Sequence, residues 1–402
     1  MGTFLRVRDF FKFLKSVKGD LANITGPPFF LAPSSVTEVG SCWVERPSLF
    51  IAPALEEDPE IRALLVLKWI LVSLKAQFYV GQVPGHGIKK PLNAFLGEIF
   101  RANWSDDKGT ASLVSEQVSH HPPITAVYMW NDEHEIRGEG YSRVEMTFSG
   151  SVNIRQIGHA MLHLDKFEEH YLIPLPSCTT HGFLSGKLYP EINGTYHIVS
   201  SSGFTSEMKF HGPGLFGGNH VNQFHATMYR TDDVEKKALY VISGSWSDKF
   251  TIYKGNNNDV IEVWDHSKMK ETTAEACCEP IDKQDPWETR KAWQGVLEAL
   301  KSGELGTAVD EKSKLENSQR LMRSEEKKKG LEWEPLLFSQ LQGGYEIFDR
   351  LASATKWELE ADKTKGVWKV NSEKVRELKH PFRPGISPFG HVEGVRDELH
   401  AT

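Results

Sequence analysis

Four cysteines in 402 residues are too few for a disulfide framework, and two of them, Cys277 and Cys278, are adjacent. A reducing compartment is the expectation. Long apolar runs are missing too. No stretch approaches the roughly 18 residues that a membrane span needs, and the longest candidate, Ile61 to Val80, is broken by Arg62, Lys68, Ser73 and Lys75. A basic excess is also absent. The net charge of −7 argues against wholesale nucleic-acid binding, so any attraction to an anionic surface has to come from a local patch. The start carries no secretory signal, since Lys12 interrupts Phe10 to Leu14 and no small-residue cleavage site follows. Arg6 stands where a myristoylation signal has Ser or Thr. The sequons at Asn23, Asn103 and Asn193 are therefore expected to be idle, and the chain to be cytosolic.

Catalytic signatures are equally scarce. Gly212-Pro-Gly214-Leu-Phe-Gly217 has the letters of a dinucleotide fingerprint, but alternating strand texture follows it where a helix should open. Gly182 to Lys187 lacks the spacing and the Ser/Thr of a P-loop. No Gly-x-Ser-x-Gly elbow exists and no cysteine has an Arg six positions on, so a nucleophilic hydrolase has no visible nucleophile. His159 and His163 are four apart on what reads as a strand, with no third ligand at metal spacing. Solvated or core-edge histidines are expected there. His134-Glu135 lacks the second His of a zincin. The expectation is a protein that is not an enzyme and needs no metal or cofactor.

What is present is a hydrophobic fraction of 39%, enough for a sizeable core. Residues 4–18 predict an amphipathic helix: Phe4, Val7, Phe10, Phe11, Phe13, Leu14 and Val17 share about half the circumference. Its basic residues Arg6, Arg8, Lys12, Lys15 and Lys18 face only Asp9 in charge, which suits either core packing or an anionic membrane. Pro59 to Phe78 has helical periodicity. From about Ala94 to Asp265 the texture alternates at period two, as in Tyr141–Phe148 and Gln223–Tyr229, with turn signals between. On the order of a dozen strands at this spacing predict a large antiparallel sheet or barrel, closed because a long flat sheet would expose its edges. Helical, charged segments return over Trp287 to Leu300 and Leu305 to Lys329, and the tail beyond Pro381 reads as loosely ordered.

Residues 116–123, Glu-Gln-Val-Ser-His-His-Pro-Pro, are the most informative. The two prolines stiffen the segment and push His121 into an extended conformation. Adjacent imidazoles on a stiff, non-helical segment are a plausible anion site. On the last helix Lys312, Glu316 and Arg320 follow at i, i+4 and i+8. By itself that spacing is a solvated stripe or a grip for a phosphorylated polyol, with Arg as a fork, Lys as a point charge and Glu as acceptor.

The octapeptide resembles the fingerprint of the oxysterol-binding protein family without a changed letter. Lys89-Lys-Pro-Leu-Asn-Ala-Phe-Leu-Gly-Glu98 resembles the family's KPLNPFLGE signature, with Ala94 for the usual proline. Tyr240–Trp246 and Glu288–Trp293 are similar as well, so the resemblance runs from about residue 10 to 335. It implies an α+β fold dominated by a near-complete antiparallel β-barrel around a lipid tunnel, with an N-terminal lid and flanking helices. The expected division is a lid at 1–28, a helical region at 29–93, the barrel at 94–268 and a C-terminal helical region and tail at 269–402. Residues 28–402 would form one lipid-binding domain, of the short form without accessory domains.

The implied function is a lipid-transfer protein that takes sterol and phosphatidylinositol 4-phosphate in turn and exchanges them between membranes. A phosphatidylserine exchanger, a phosphoinositide hydrolase using the histidine pair and a sensor that moves no lipid are the alternatives. The implied headgroup site is Lys90, Asn93, His120, His121, Lys312, Glu316 and Arg320. The implied sterol positions are Trp43, Gln77 and Gln156, with Phe78 and Ser142 where short sterol carriers have Tyr and Asn. Losing those two polar groups would weaken sterol selectivity by around 1 kcal/mol each. Val17, Leu21 and Ile24 match apolar lid positions. A monomer that attaches peripherally to membranes of the endoplasmic reticulum or Golgi type, without nucleic acid, completes the expectation.

Overall fold

The computed structural model describes residue 21 and residues 28–80, 88–182, 188–211, 221–255, 259–269 and 273–391. The expected helix over 4–18, the lid positions Val17 and Ile24, and the glycine pattern after Gly212 lie outside the described residues.

Two short strands precede the main sheet, β1 (Leu31–Ser35) and β2 (Lys90–Leu92), which pair in parallel. The main sheet has 14 strands. Its first half is β3 (Ile99–Asp106), β4 (Gly109–His120), β5 (Pro123–Asn131), β6 (Ile136–Phe148), β7 (Val152–Leu164), β8 (Glu169–Pro174) and β9 (Cys178–His181). The second half is β10 (Tyr189–Ile192), β11 (Gly194–Ser200), β12 (Phe204–His211), β13 (Gln223–Arg230), β14 (Tyr240–Ser245), β15 (Lys249–Lys254) and β16 (Asp259–Asp265). Neighbouring strands are antiparallel, and the path runs from β3 at one end to β16 at the other. Among the described residues no ladder joins these two ends, so the barrel is nearly but not fully closed. The open edge of β3 is covered instead: Ile99 N–H donates to Trp287 O at 3.0 Å, and Asn103 exchanges bonds with Cys277. Covering an edge in this way removes its unpaired backbone groups from solvent.

The Pro59–Phe78 helix forms where periodicity predicts it, with Pro59 in the first turn and the Asp58 carboxylate capping Glu60 N–H. It is apolar nearly all round and correspondingly buried. Val66, Leu67, Ile70 and Leu71 share one core with Trp104, Phe224, Met228, Trp246 and Ile252 of the barrel. Buried Arg62 and partly buried Lys68 each find a carboxylate on a strand, Arg62 with Glu169 and Lys68 with Glu262, both at 2.6 Å.

The C-terminal part departs from the expected helices and loose tail. Helices at Gln294–Ser302 and Leu305–Lys329 form, but between the later helices β17 (Phe338–Gln340) and β18 (Trp368–Val370) pair and pack on the outside of β5 and β6. The described part of the tail, residues 382–391, is anchored: Phe382 is buried and its N–H donates to Asp285 Oδ2 at 2.8 Å. Of the two expectations for His159 and His163, solvated or core-edge, the structure excludes the first, since both are buried. His159 packs on Tyr141, Tyr345 and Phe348, and His163 lies beside His170 and Glu139.

Glu139 on β6 holds β18 in place. Its carboxylate pairs with Lys369 and accepts Val370 N–H at 3.2 Å. Burial pushes this carboxyl up, but His163 at 3.5 Å and the Lys369 ammonium outweigh burial and hold it at about 2. A depressed acid stabilises the fold above its ordinary pKa and loses that contribution as pH falls toward the folded value. The contact between β18 and the barrel is therefore expected to weaken between pH 4.5 and about 2, by roughly 3 kcal/mol. Fluorescence of the neighbouring, buried Trp368 during acid titration measures this, and Glu139→Gln should abolish the transition in that window.

Candidate functional site

The two signature motifs, distant in sequence from the Leu305–Lys329 helix, meet where β3 pairs with β4. Gly97 N–H donates to Gln117 O and Gln117 N–H donates to Glu98 O, each at 2.9 Å, and Ile99 faces Glu116 in the ladder. Gly97 has φ +81°, and a Cβ there would stand 2.2 Å from the Trp333 ring, so only glycine allows this approach. Glu116 is wholly buried and accepts Leu336 N–H at 2.6 Å and Leu337 N–H at 2.8 Å. Arg383 stands 3.7 Å from it. The first letter of the octapeptide thus ties the C-terminal segment to β4.

The following letters turn toward the site. Gln117 accepts Thr125 Oγ1–H at 2.6 Å and donates to Ser119 O. The register slips between Gln117 and Ser119, and the strand ends at His120. His120 is largely buried and His121 exposed, their rings 4.6 Å apart. Burial lowers the His120 pKa, and the charges of His121 and Arg323 add to this against a hydrogen bond to the Ala94 backbone and the charge of Glu316. The ring has Ala94 of the first signature on one side and Glu316 and Arg323 of the Leu305–Lys329 helix on another. Lys90 donates to Asn93 Oδ1. On the helix, buried Lys312 bonds to Glu316, and Arg320 lies 3.5 Å from Glu316 on the other side. The structure so gathers Lys90, Asn93, His120, His121, Lys312 and Glu316. Arg320 sits at the rim, its side chain 70% exposed and bonded to Asn317.

That position follows from helix geometry. Each four-residue step drifts by about 40°, so Arg320 is turned roughly 80° from Lys312. The residue eleven beyond Lys312 returns to within about 20°. It is Arg323, whose guanidinium stacks on Trp333 at 4.5 Å and bonds Glu326 at 2.8 Å. The i, i+4, i+8 reading missed this cation, and the i+11 spacing was its only sequence signal.

A tunnel of about 340 Å³ opens beside these groups, with Lys90, Asn93 and Ala94 in its wall. Period-two alternation supplies the wall from the central strands: Thr125, Val127 and Met129 from β5, Ser142, Val144 and Met146 from β6, and Ile154 and Gln156 from β7. Leu21, buried, covers part of it and donates its N–H to Met146 O at 2.7 Å. Trp43, Gln77, Phe78, Ser142 and Gln156 all line the tunnel. Ser142 Oγ and Gln156 Oε1 are 3.5 Å apart, while Phe78 lies edge-on to Trp246 at 5.9 Å. Burial pushes the wall thiol of Cys178 up to about 12. Among the described residues no group of His, Cys, Asp and Glu could hold a metal, and no helix is long and apolar enough to cross a membrane.

Comparison with known proteins agrees on one family. The model for oxysterol-binding protein matches residues 9–378. A probable transporter, efuK, of Hormonema carpetanum is 47% identical over 377 residues, covering 93% of this chain and 54% of that protein. The chain thus spans about half the length of that relative. Protein kes1 of Schizosaccharomyces pombe is 36% identical over 332 residues, covering 80% of this chain and 84% of its own length. Among solved structures, the Osh1 ORD domain in complex with ergosterol aligns with TM-score 0.68 at 20% identity, over 91% of this chain and 87% of that one. The Osh3 ORD of Saccharomyces cerevisiae in complex with PI(4)P aligns with TM-score 0.65, also at 20% identity, over 89% and 95%.

Removing the Glu116 carboxylate leaves two backbone donors and the Arg383 charge without their acceptor. Glu116→Ala is expected to destabilise the protein by about 3 kcal/mol. Urea denaturation measures it; a loss below about 1 kcal/mol would show that water replaces the carboxylate.

Proposed function

The chain belongs to the oxysterol-binding protein family, and we propose that it transfers lipid and catalyses no reaction. One tunnel would hold either a sterol or the acyl chains of phosphatidylinositol 4-phosphate, and the shared volume makes the two exclusive. A gradient in one lipid can then drive movement of the other between membranes, by shifting the population of loaded forms. The single observation that carries this reading is the juxtaposition of an apolar tunnel with a cluster of cationic and donor groups beside it. Solved members of the fold hold ergosterol and PI(4)P respectively, which supports both cargoes in one architecture.

In this reading Lys90, Asn93, His120, His121, Lys312, Glu316 and Arg320 meet the headgroup. A phosphomonoester carries nearly two charges and takes several charge-assisted donors. Arg320, exposed at the rim, swings in over the bound head. Trp43, Gln77, Ser142 and Gln156 meet the sterol hydroxyl directly or through water. Leu21, with Val17 and Ile24, belongs to the lid, which opens at the surface of membranes of the endoplasmic reticulum or Golgi type and closes around cargo in a monomeric carrier. Phe78 favours a second reading, in which phosphatidylserine replaces sterol. Its ring presents no hydrogen-bonding group where a sterol hydroxyl would need one.

Liposome assays with a fluorescent sterol, phosphatidylserine and phosphatidylinositol 4-phosphate test both readings. His120→Ala/His121→Ala is expected to lose phosphoinositide extraction by more than about tenfold and to keep sterol pickup within about twofold. Equal loss of both in a folded protein would sink the idea of separate headgroup and sterol contacts. Phosphatidylserine transfer without sterol uptake would install the second reading.

A further inference from the structure

A second cavity, of about 430 Å³, lies outside the barrel wall beneath residues 355–364. Tyr141, Gln156 and Leu175 line both this cavity and the tunnel, so the two are back to back. The sheet is parted at this place. β7 pairs with β9 through Val152–Ile154 and with β8 from His159 onward. Among the described residues, Arg155 to Gly158 therefore have no strand partner on that edge.

Side-chain contacts stand in for the missing ladder. Gln156 N–H donates to Ser177 Oγ at 3.1 Å, and Gln156 Nε2 donates to Pro176 O at 2.6 Å. Gly158 has φ +130°, and a Cβ there would stand 2.0 Å from Tyr141 O, so no side chain fills the wall at that point. The cover outside is held at its edges, by the Arg155–Glu360 pair and by Arg143 Nη1 donating to Lys363 O at 2.8 Å.

We propose that this break is a lateral polar port through which water passes between tunnel and outer cavity, with the Gln156 side chain as its plug. Polar groups of the tunnel wall, Ser142, Gln156 and Thr180 among them, are solvated when no cargo shields them, and that water has to leave as lipid enters. Cargo and Leu21 obstruct the side of entry. A swing of one glutamine opens the wall without breaking a ladder bond, and Arg155, His197 and Glu358 make the outer side wettable. The port rests on the lipid-transfer reading for its purpose, though not for its existence.

Two substitutions fill the outer cavity from outside the tunnel, Thr195→Trp at an exposed position of β11 and Thr355→Trp on the covering segment. Stopped-flow loading of a fluorescent sterol is expected to slow at least roughly fivefold in each, with equilibrium affinity within about twofold. A cargo-free readout is oxidation of Cys178, which lines the tunnel and pairs with Ile154 beside the break, by hydroxyl radicals generated from local water. It should fall at least about threefold in both variants as bound water is displaced. Unchanged Cys178 oxidation in both overturns the port, whatever the loading rates. A wild-type chain that takes up neither sterol nor phosphoinositide sinks the transfer reading, and Cys178 still decides the port.

Discussion

Glu98 is wholly buried at the start of β3, where its carboxylate accepts from Thr37 Oγ1 at 2.8 Å, Thr289 Oγ1 at 2.9 Å, Trp293 Nε1 at 2.8 Å and Phe95 N at 3.1 Å. These donors come from three parts of the chain: the segment before the helices, the loop leading into the sheet, and the helices after it. Burial pushes the carboxyl above its ordinary range, and neutral donors pull it back. A buried acid satisfied only by fixed donors is intolerant of displacement, because each lost bond leaves a costly unpaired group. The arrangement of the first and last thirds of the chain around β3 depends on it. So does the cover over the open sheet edge, since Trp287, which accepts Ile99 N–H, precedes Thr289 by only two residues.

The two signatures divide their letters between holding and binding. Gly97, Glu98 and Glu116 set how closely β3, β4 and the C-terminal segment approach. Lys90, Asn93 and the histidines occupy the ends of the same motifs, next to the tunnel. The proposed headgroup site is therefore assembled by the same backbone bonds that register β3 on β4. The proposed anion site and the β3–β4 register are one construction, so a ligand that strains the first would be felt in the second.

Strand texture was legible because an inward face that lines a tunnel and an outward face that meets solvent or helices differ in polarity, as in Tyr141–Phe148. The Pro59–Phe78 helix was legible from its length and its proline start. Pairing was not. Nothing local to Val152–Leu164 says that one edge of it serves two strands with a gap between them, because that is decided by where Pro174 to Cys178 turns back. The order of residues 382–391 was hidden for a related reason. Few apolar side chains mark it, and it is held by single bonds to distant groups: Phe382 N–H to Asp285, Gln319 to Pro388 O, Trp287 Nε1 to Ile386 O. Of the site, the resemblance supplied the residues and the structure supplied their proximity. Arg323 escaped because a pattern read every fourth residue walks off the buried face of a helix.

A chain of net charge −7 can still collect cations at one place because its acids there are committed elsewhere. Glu98 and Glu116 are enclosed by backbone and hydroxyl donors, and Glu139 by Lys369. On the Leu305–Lys329 helix the carboxylate of Glu316 stands between Lys312 and Arg320 and pairs with both. Lys312 is only 5% exposed, and an ammonium so buried needs a counter-charge. Glu316 supplies it in the unliganded protein. A phosphate arriving in the proposed site would compete for that same ammonium, and Glu316 would be released to accept from hydroxyls of the sugar ring. In the proposed site the pair would hold the cation in position before a ligand comes, and the exchange of one anion for another would favour a phosphorylated polyol over a simple anion.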